Sequence, residues 1–209
     1  MQNKLAVFDF DSTLMDGETI EIIADELGLK NEVAKITAQA MNGKLDFFES
    51  LTYRVSLLKG IKEECVNEIC QNLTYNKGAK DVVSGLKNKG YTVVCFSGGF
   101  KNATSYAKNI LGYDADFSNI LRAKDGVLTG QVGGEMMFSD SKGLMLKKLQ
   151  CLLNVSQENT IAVGDGANDL SMFKYAKTKV AFCAKDVLKK EATIVIDNKN
   201  LSEILTCIF

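Results

Sequence analysis

Five apolar runs, too short for buried helices and too continuous to alternate with polar residues, constrain this chain most strongly. They read KLAVFDF (residues 4–10), YTVVCFS (91–97), TIAVGD (160–165), KVAFCA (179–184) and TIVI (193–196). A strand with one wet face alternates apolar and polar side chains, so runs without alternation predict strands covered on both faces. Helical periodicity between the later runs completes a strand-helix alternation. The expected fold class is therefore α/β, a doubly wound parallel sheet of Rossmann-like form.

One interval breaks that alternation. About eighty residues separate the first two runs, and most of them read as successive amphipathic helices near 19–28, 31–42, 45–59 and 62–73. Gly28, Gly43 and Gly60 punctuate these patterns, and Asn31 and Asp46 suit N-caps or first turns. The expected division is a catalytic core from 1–14 and 77–209, with a helical cap at 15–76 inserted after the first strand. A further stretch, NILRAKDGVLTGQVG, predicts a hairpin at the sheet edge with Asp125-Gly126 at its turn.

Composition removes several classes of function. The 209 residues are 46% hydrophobic, enough for a substantial core. A net charge of −1, with no dense cluster of Lys or Arg, gives no electrostatic footprint for nucleic acid or a membrane surface. The N-terminal apolar stretch is too short for a signal peptide, and no window approaches the length of a membrane span. The expectation is a cytoplasmic monomer or homodimer acting on a small molecule. Six cysteines form no C-x-x-C pair, and histidine is absent altogether. Cys/His zinc sites, Ser-His-Asp and Cys-His catalysis are thereby excluded, so acid/base work falls to carboxylates or lysine.

Three of the strand-like runs end in polar residues that a buried strand does not need: Asp9 and Asp11, then Ser97 with Gly98-Gly99, then Asp165 in GDGANDL. Ends of parallel strands share one sheet edge, where open α/β sheets bind ligands. Asp9 and Asp11 are two apart, so the pleat sends them to the same side, where they repel unless one is protonated or a cation intervenes. A turn signal alone explains an isolated Asp-x-Asp, but not a second acidic cluster at another strand end. Asp169 suits the first turn of a helix, whereas Asp165 precedes the turn. With Asp9 and a nearby backbone carbonyl, Asp165 offers hard oxygen ligands suited to Mg²⁺. Ser97 and its glycines read either as a helix cap or as a phosphate-binding turn. Lys142, at the start of a predicted helix, reads either as a surface lysine or as the positive charge that a phosphate among carboxylates requires.

DFDSTL, SGGF, Lys142 and GDGANDL, in this order and with a helical insertion after the first, resemble the haloacid dehalogenase superfamily of aspartyl phosphatases over nearly the whole chain. Within it, the pattern is most similar to the members that act on phosphoserine. The resemblance implies Mg²⁺-dependent hydrolysis of L-phosphoserine, the last step of serine biosynthesis, under an inserted helical cap. It implies Asp9 as the nucleophile forming an aspartyl-phosphate, and Asp11 as the group that protonates the leaving oxygen and then deprotonates water. It further implies metal ligation by Asp9, Asp165 and the Asp11 carbonyl, with Ser97, Gly98 and Lys142 on the phosphoryl oxygens and Asn168 and Asp169 organising the site. Glu18 matches an acid for the substrate ammonium, and Arg54 an arginine for its carboxylate. Met41 and Phe47 match apolar positions that close over the substrate, and each is equally readable as cap core. The regulatory N-terminal domain of some relatives is expected to be missing.

Arg54 also stands out without the resemblance. Phe47, Leu51 and Arg54 share a helix face at i, i+4, i+7, and no acid lies three or four residues from the arginine to explain it as an intrahelical pair. Two other readings remain at this point. One is a phosphatase for a different small phosphomonoester; the other is a receiver-type signalling domain, against which the second acid of DFD and the cap both argue.

Overall fold

Continuous apolar runs become buried strands. The computed structural model describes residues 3–41 and 44–208, with the side chains of Ala38, Ala40 and Met41 outside that description. Strands β1 (Lys4–Asp9), β2 (Tyr91–Phe100), β3 (Ala115–Lys124), β4 (Val127–Gly134), β5 (Thr160–Gly164), β6 (Thr178–Phe182) and β7 (Ile194–Ile196) form one sheet. Its order is β4-β3-β2-β1-β5-β6-β7, parallel throughout except for β4. The Rossmann-like expectation holds.

Both faces of the central strand are covered, which is why its sequence does not alternate. Leu5 and Val7 pack on one face with Leu146, Leu149, Met172 and Leu188, while Ala6 and Phe8 pack on the other with Val82, Leu86 and Ala103. Each such side chain, fully buried, contributes about 1.5–3 kcal/mol of transfer free energy if apolar and large. The helices responsible are α5 (Ala79–Asn88) and α6 (Lys101–Leu111) on the second face, and α7 (Ser141–Leu153), α8 (Leu170–Phe173) and α9 (Asp186–Lys189) on the first. The chain closes with α10 (Glu203–Ile208), which packs on α5.

Between β1 and β2 the four expected helices are present as α1 (Thr19–Glu26), α2 (Lys30–Met41), α3 (Phe47–Ser56) and α4 (Glu63–Gln71). Asp46 caps α3 in a reciprocal box: the Glu49 N–H donates to Asp46 Oδ1 at 2.8 Å, and the Asp46 N–H to Glu49 Oε2 at 3.0 Å. Asn31 lies in the first turn of α2, and Gly43 falls outside the described residues.

The hairpin differs from expectation in one respect. Its turn is as predicted, with positive φ at Asp125 (52°) and Gly126 (75°), but its first strand begins at Ala115 and joins the main sheet beside β2. The acids of YDADFSNI hid that strand, because Asp114 and Asp116 are not core residues by type; in the fold Asp114 accepts the Val93 N–H at 2.9 Å and Asp116 accepts the Thr104 hydroxyl at 2.7 Å. The hairpin also reaches the cap helices. Gly60 N–H donates to the Leu128 carbonyl (2.9 Å), Leu128 N–H to Ile61 (2.8 Å) and Glu63 N–H to Gly126 (2.9 Å).

Candidate active site

Sheet register brings the acids together. Asp9, the last residue of β1, lies opposite Phe96 of β2, and Phe8 lies opposite Val163 of β5, so Asp9, Ser97 and Asp165 emerge at the same edge. Asp9 and Asp165, with Gly98 and Gly99 next to the buried Ser97, border a cavity of about 430 Å³ whose lining also includes Asp11, Glu18, Phe47 and Arg54. Walls from α1 to α3 stand across it from the sheet edge.

Asp9 and Asp11 do not face each other as the strand pleat predicts. The backbone leaves extended geometry after Asp9 in a wide turn, closed by the Met15 N–H on the Phe10 carbonyl at 2.9 Å, with Ser12 in a left-handed conformation (φ 56°). That turn gives the two carboxylates different partners. Asp9 Oδ1 accepts from the Phe10 N–H at 2.7 Å and pairs with Lys142 Nζ at 2.6 Å. Asp11 Oδ1 accepts from both the N–H (2.7 Å) and the hydroxyl of Thr19, and Asp11 Oδ2 accepts from the Ser97 hydroxyl at 3.0 Å.

Lys142 is buried near the start of α7 and pairs with Asp169 as well as Asp9, each at 2.6 Å. A surface lysine is excluded. Burial alone would lower its ammonium, but Asp169 and Asp9 outweigh that and hold its pKa above the ordinary value. Asp169 in turn accepts through Oδ2 from the N–H groups of Asp165 (3.0 Å) and Gly166 (3.1 Å), fixing the loop after β5. Gly164 allows this: a Cβ there would lie 2.3 Å from the Asp169 carboxyl carbon.

Asp9, Asp165 and Asp169 each present a carboxylate oxygen within 4.8 Å of the others. Distance makes Asp169 a third ligand, yet both its oxygens are committed, one to Lys142 and one to the two amides. Asp9 Oδ2 and the Asp165 carboxylate take no hydrogen bond or ion pair among the described residues. Three carboxylates facing one ammonium leave uncompensated negative charge, and burial is the first cause of the upward pKa shifts. Asp9 is pushed well above the carboxylate range by burial and Asp169, against Lys142; Asp165 rises to about 6 through burial and Asp169. Two acids with partnerless oxygens among the described residues, in such surroundings, fit a hard divalent cation.

On the cap side, Glu18 and Arg54 line the same cavity. Glu18 has substantial surface open to water at the cavity mouth, yet the walls around it and the nearby Asp11 push its carboxyl up to about 7; the Ser12 hydroxyl donates to it at 2.8 Å. Arg54 is half-buried, its Nε donates to the Ser50 carbonyl at 3.2 Å, and no carboxylate pairs with it among the described residues. Burial lowers its pKa against the attraction of Glu18 and Glu21. Phe47 reaches across to the sheet side, where a Cβ on Gly98 would lie 3.0 Å from its ring, so glycine is needed for that approach.

The remaining expected residues fall as follows. Asn168 lines the cavity beside Asp165, and Ser97 is fully buried, with its hydroxyl accepting the Gly99 N–H at 2.9 Å. The helix-cap reading of Ser97 does not hold, because α6 starts after Phe100. Met41 ends α2, with its side chain outside the described residues. Sequence reasoning passed over Thr19, which holds Asp11 twice, and Lys185, which lines the cavity and donates its N–H to the Asp165 carbonyl at 2.9 Å. Thr19 opens α1, and an acid eight residues before a free helix N-terminus was the available signal.

A parallel sheet with a paired Asp and Lys at its active edge and a second acid cluster after β5 defines a hydrolase of the haloacid dehalogenase type. The model of the haloacid dehalogenase-like hydrolases matches residues 3–177, and the chain belongs to that family. It is 62% identical over 202 residues to the phosphoserine phosphatase of Wolinella succinogenes, covering 97% of this chain and 98% of that one. It is 50% identical over 204 residues to the phosphoserine phosphatase of Methanocaldococcus jannaschii, covering 98% and 97%. A solved phospho-aspartyl intermediate analogue of phosphoserine phosphatase is 49% identical and superposes with a TM-score of 0.93 over 100% of both chains.

Proposed function

We propose that this chain hydrolyses L-phosphoserine to serine and phosphate through an aspartyl-phosphate on Asp9, the reaction that ends serine biosynthesis. The observation that carries the reading is Asp9 itself: one oxygen is fixed by Lys142 and the Phe10 N–H, the other is without a partner among the described residues, and the residue borders the cavity. Fixing one oxygen orients the carboxylate and leaves the second for attack on phosphorus. Lys142 balances charge on Asp9 and Asp169, and its ammonium, held against Asp9, would counter the charge that moves onto the phosphoryl oxygens during attack.

Asp11 is the proton carrier. Its position between Thr19 and Ser97 keeps it apart from Asp9, so a proton can be delivered to the departing serine oxygen and taken later from water. A domain that merely stores a phosphoryl group has no use for this second acid. Asp9, Asp165 and the Asp11 carbonyl would hold Mg²⁺, which when bound would supply positive charge against the repulsion between carboxylate and phosphate. Gly98 and Asn168 border the space for the phosphoryl oxygens.

Residues 15–76 act as the cap that selects the substrate. Glu18 and Arg54 face one cavity with opposite charge, which suits a headgroup bearing both an ammonium and a carboxylate. Six free cysteines fit a reducing compartment, so we place the reaction in the cytoplasm. No helix among the described residues is long and apolar enough to cross a membrane. The test is phosphate release from a panel of phosphorylated metabolites with and without Mg²⁺. Phosphoserine should lead the panel and require the metal; no preference for it would remove the substrate assignment.

A further inference from the structure

Two large apolar side chains that face water meet each other between the cap helices and the core. Phe48, the second residue of α3, is 40% exposed, and Phe138, in the loop between β4 and Lys142, is 57% exposed. Their ring centroids are 5.4 Å apart with 13° between planes. Neither ring touches the cavity, and neither is needed to close the apolar core.

Their position on α3 gives the stack a use. The loop that follows that helix is strapped to the hairpin by the backbone hydrogen bonds at Gly60, Ile61 and Glu63, and Gly130 of β4 approaches the carbonyl of Ser56, the last residue of α3, so closely that a Cβ would lie 3.1 Å from it. At the N-terminal end, two adjacent rings bridge to the core: Phe47 against Gly98, and Phe48 against Phe138. The helix is thus strapped by backbone at one end and clasped by side chains at the other.

We propose that Phe138 is a positioning residue that, by stacking on Phe48, holds the first turn of α3 against the core and so sets where Phe47, on the helix that carries Arg54 in its last turn, meets the substrate headgroup. The assignment of Arg54 to the headgroup rests on the function proposed above; the clasp itself does not. Phe138 touches none of the reacting groups, so its loss acts on the population of the closed helix rather than on the chemistry at Asp9. A stacked aromatic pair corresponds to roughly a 2- to 10-fold shift in that population.

Four variants test this: Phe138→Ala, Phe138→Tyr, Phe48→Ala and the double alanine. Phe138→Ala should raise KM for phosphoserine roughly 2- to 10-fold with kcat changed less. Phe138→Tyr should restore it, and the double variant should be no worse than either single one. Amide hydrogen exchange without substrate gives a readout independent of the reaction: Phe138→Ala should speed exchange in the first turn of α3, at 49–51, and leave 60–63 unchanged. An unchanged exchange rate at 49–51, or single-variant effects that multiply in the double variant, would overturn the clasp. Faster exchange in a protein whose wild type leaves phosphoserine intact would uphold the clasp and reject the function.

Discussion

Lys142 Nζ lies 2.6 Å from Asp9 Oδ1, and both side chains are buried. The ammonium is shared with Asp169, so one cation holds the strand end that carries Asp9 and the loop after β5 in a single network. Removing it leaves two buried carboxylates without their counter-charge. Lys142→Met should therefore cost about 3–5 kcal/mol in urea unfolding, the usual penalty for breaking a buried pair from one side. Adding Asp9→Asn to that variant should recover part of the loss; full additivity of the two losses would show that the pair is not coupled.

The strength of this network was only partly legible in the sequence. Asp9, Asp165, Asp169 and Lys142 could be marked because charged residues interrupt strand ends and a helix start, and such interruptions are local patterns. That Lys142 binds two carboxylates rather than facing solvent depends on how deeply α7 packs, which no local pattern contains. The divergence of Asp9 from Asp11 was hidden for a similar reason: the pleat predicts one side for both, and the wide turn after Asp9 overrides it. The Phe48–Phe138 contact joins residues ninety positions apart, each of which reads alone as an ordinary apolar residue.

Divalent cation and pH should act together on stability. The Asp165 carboxyl is raised to about 6 in the folded chain from an ordinary 3.8, so it holds a proton at pH 5 and releases it above about 6. A cation needs the ionised form. The rise in Tm produced by adding Mg²⁺ to chelator-treated protein should be larger at pH 7.5 than at pH 5, and Asp165→Asn should sharply reduce it. An equal rise at both pH values in the wild type would count against Asp165 as a ligand.

Glu18 gives a second pH signature, of opposite practical use. Burial and the nearby Asp11 raise its carboxyl from 4.5 to about 7, so between these values the folded chain binds more protons than the unfolded one. Its contribution to stability is therefore greatest below pH 4.5 and is lost as pH rises through about 7. Thermal melts without metal or substrate should show Glu18→Gln raising Tm relative to wild type more at pH 8 than at pH 5. A pH-independent difference would mean that Glu18 titrates as an ordinary surface acid.

Arg54 interrupts an apolar helix face and carries no carboxylate partner among the described residues, which leaves its charge for a ligand. Arg54→Ala should lower kcat/KM for phosphoserine by roughly 30-fold or more, the scale of truncating one side of an enclosed charge pair. An aryl phosphate without a carboxylate should lose much less. Equal losses for both substrates would assign Arg54 to support of the cap instead.

Acid-quenched single turnover with phosphoserine, followed by peptide mass spectrometry, reaches the central claim most directly. One phosphorylated peptide, containing Asp9, should appear before free phosphate and be absent from Asp9→Asn. Phosphate released without any phosphorylated Asp9, or a label that persists in Asp9→Asn, would contradict it.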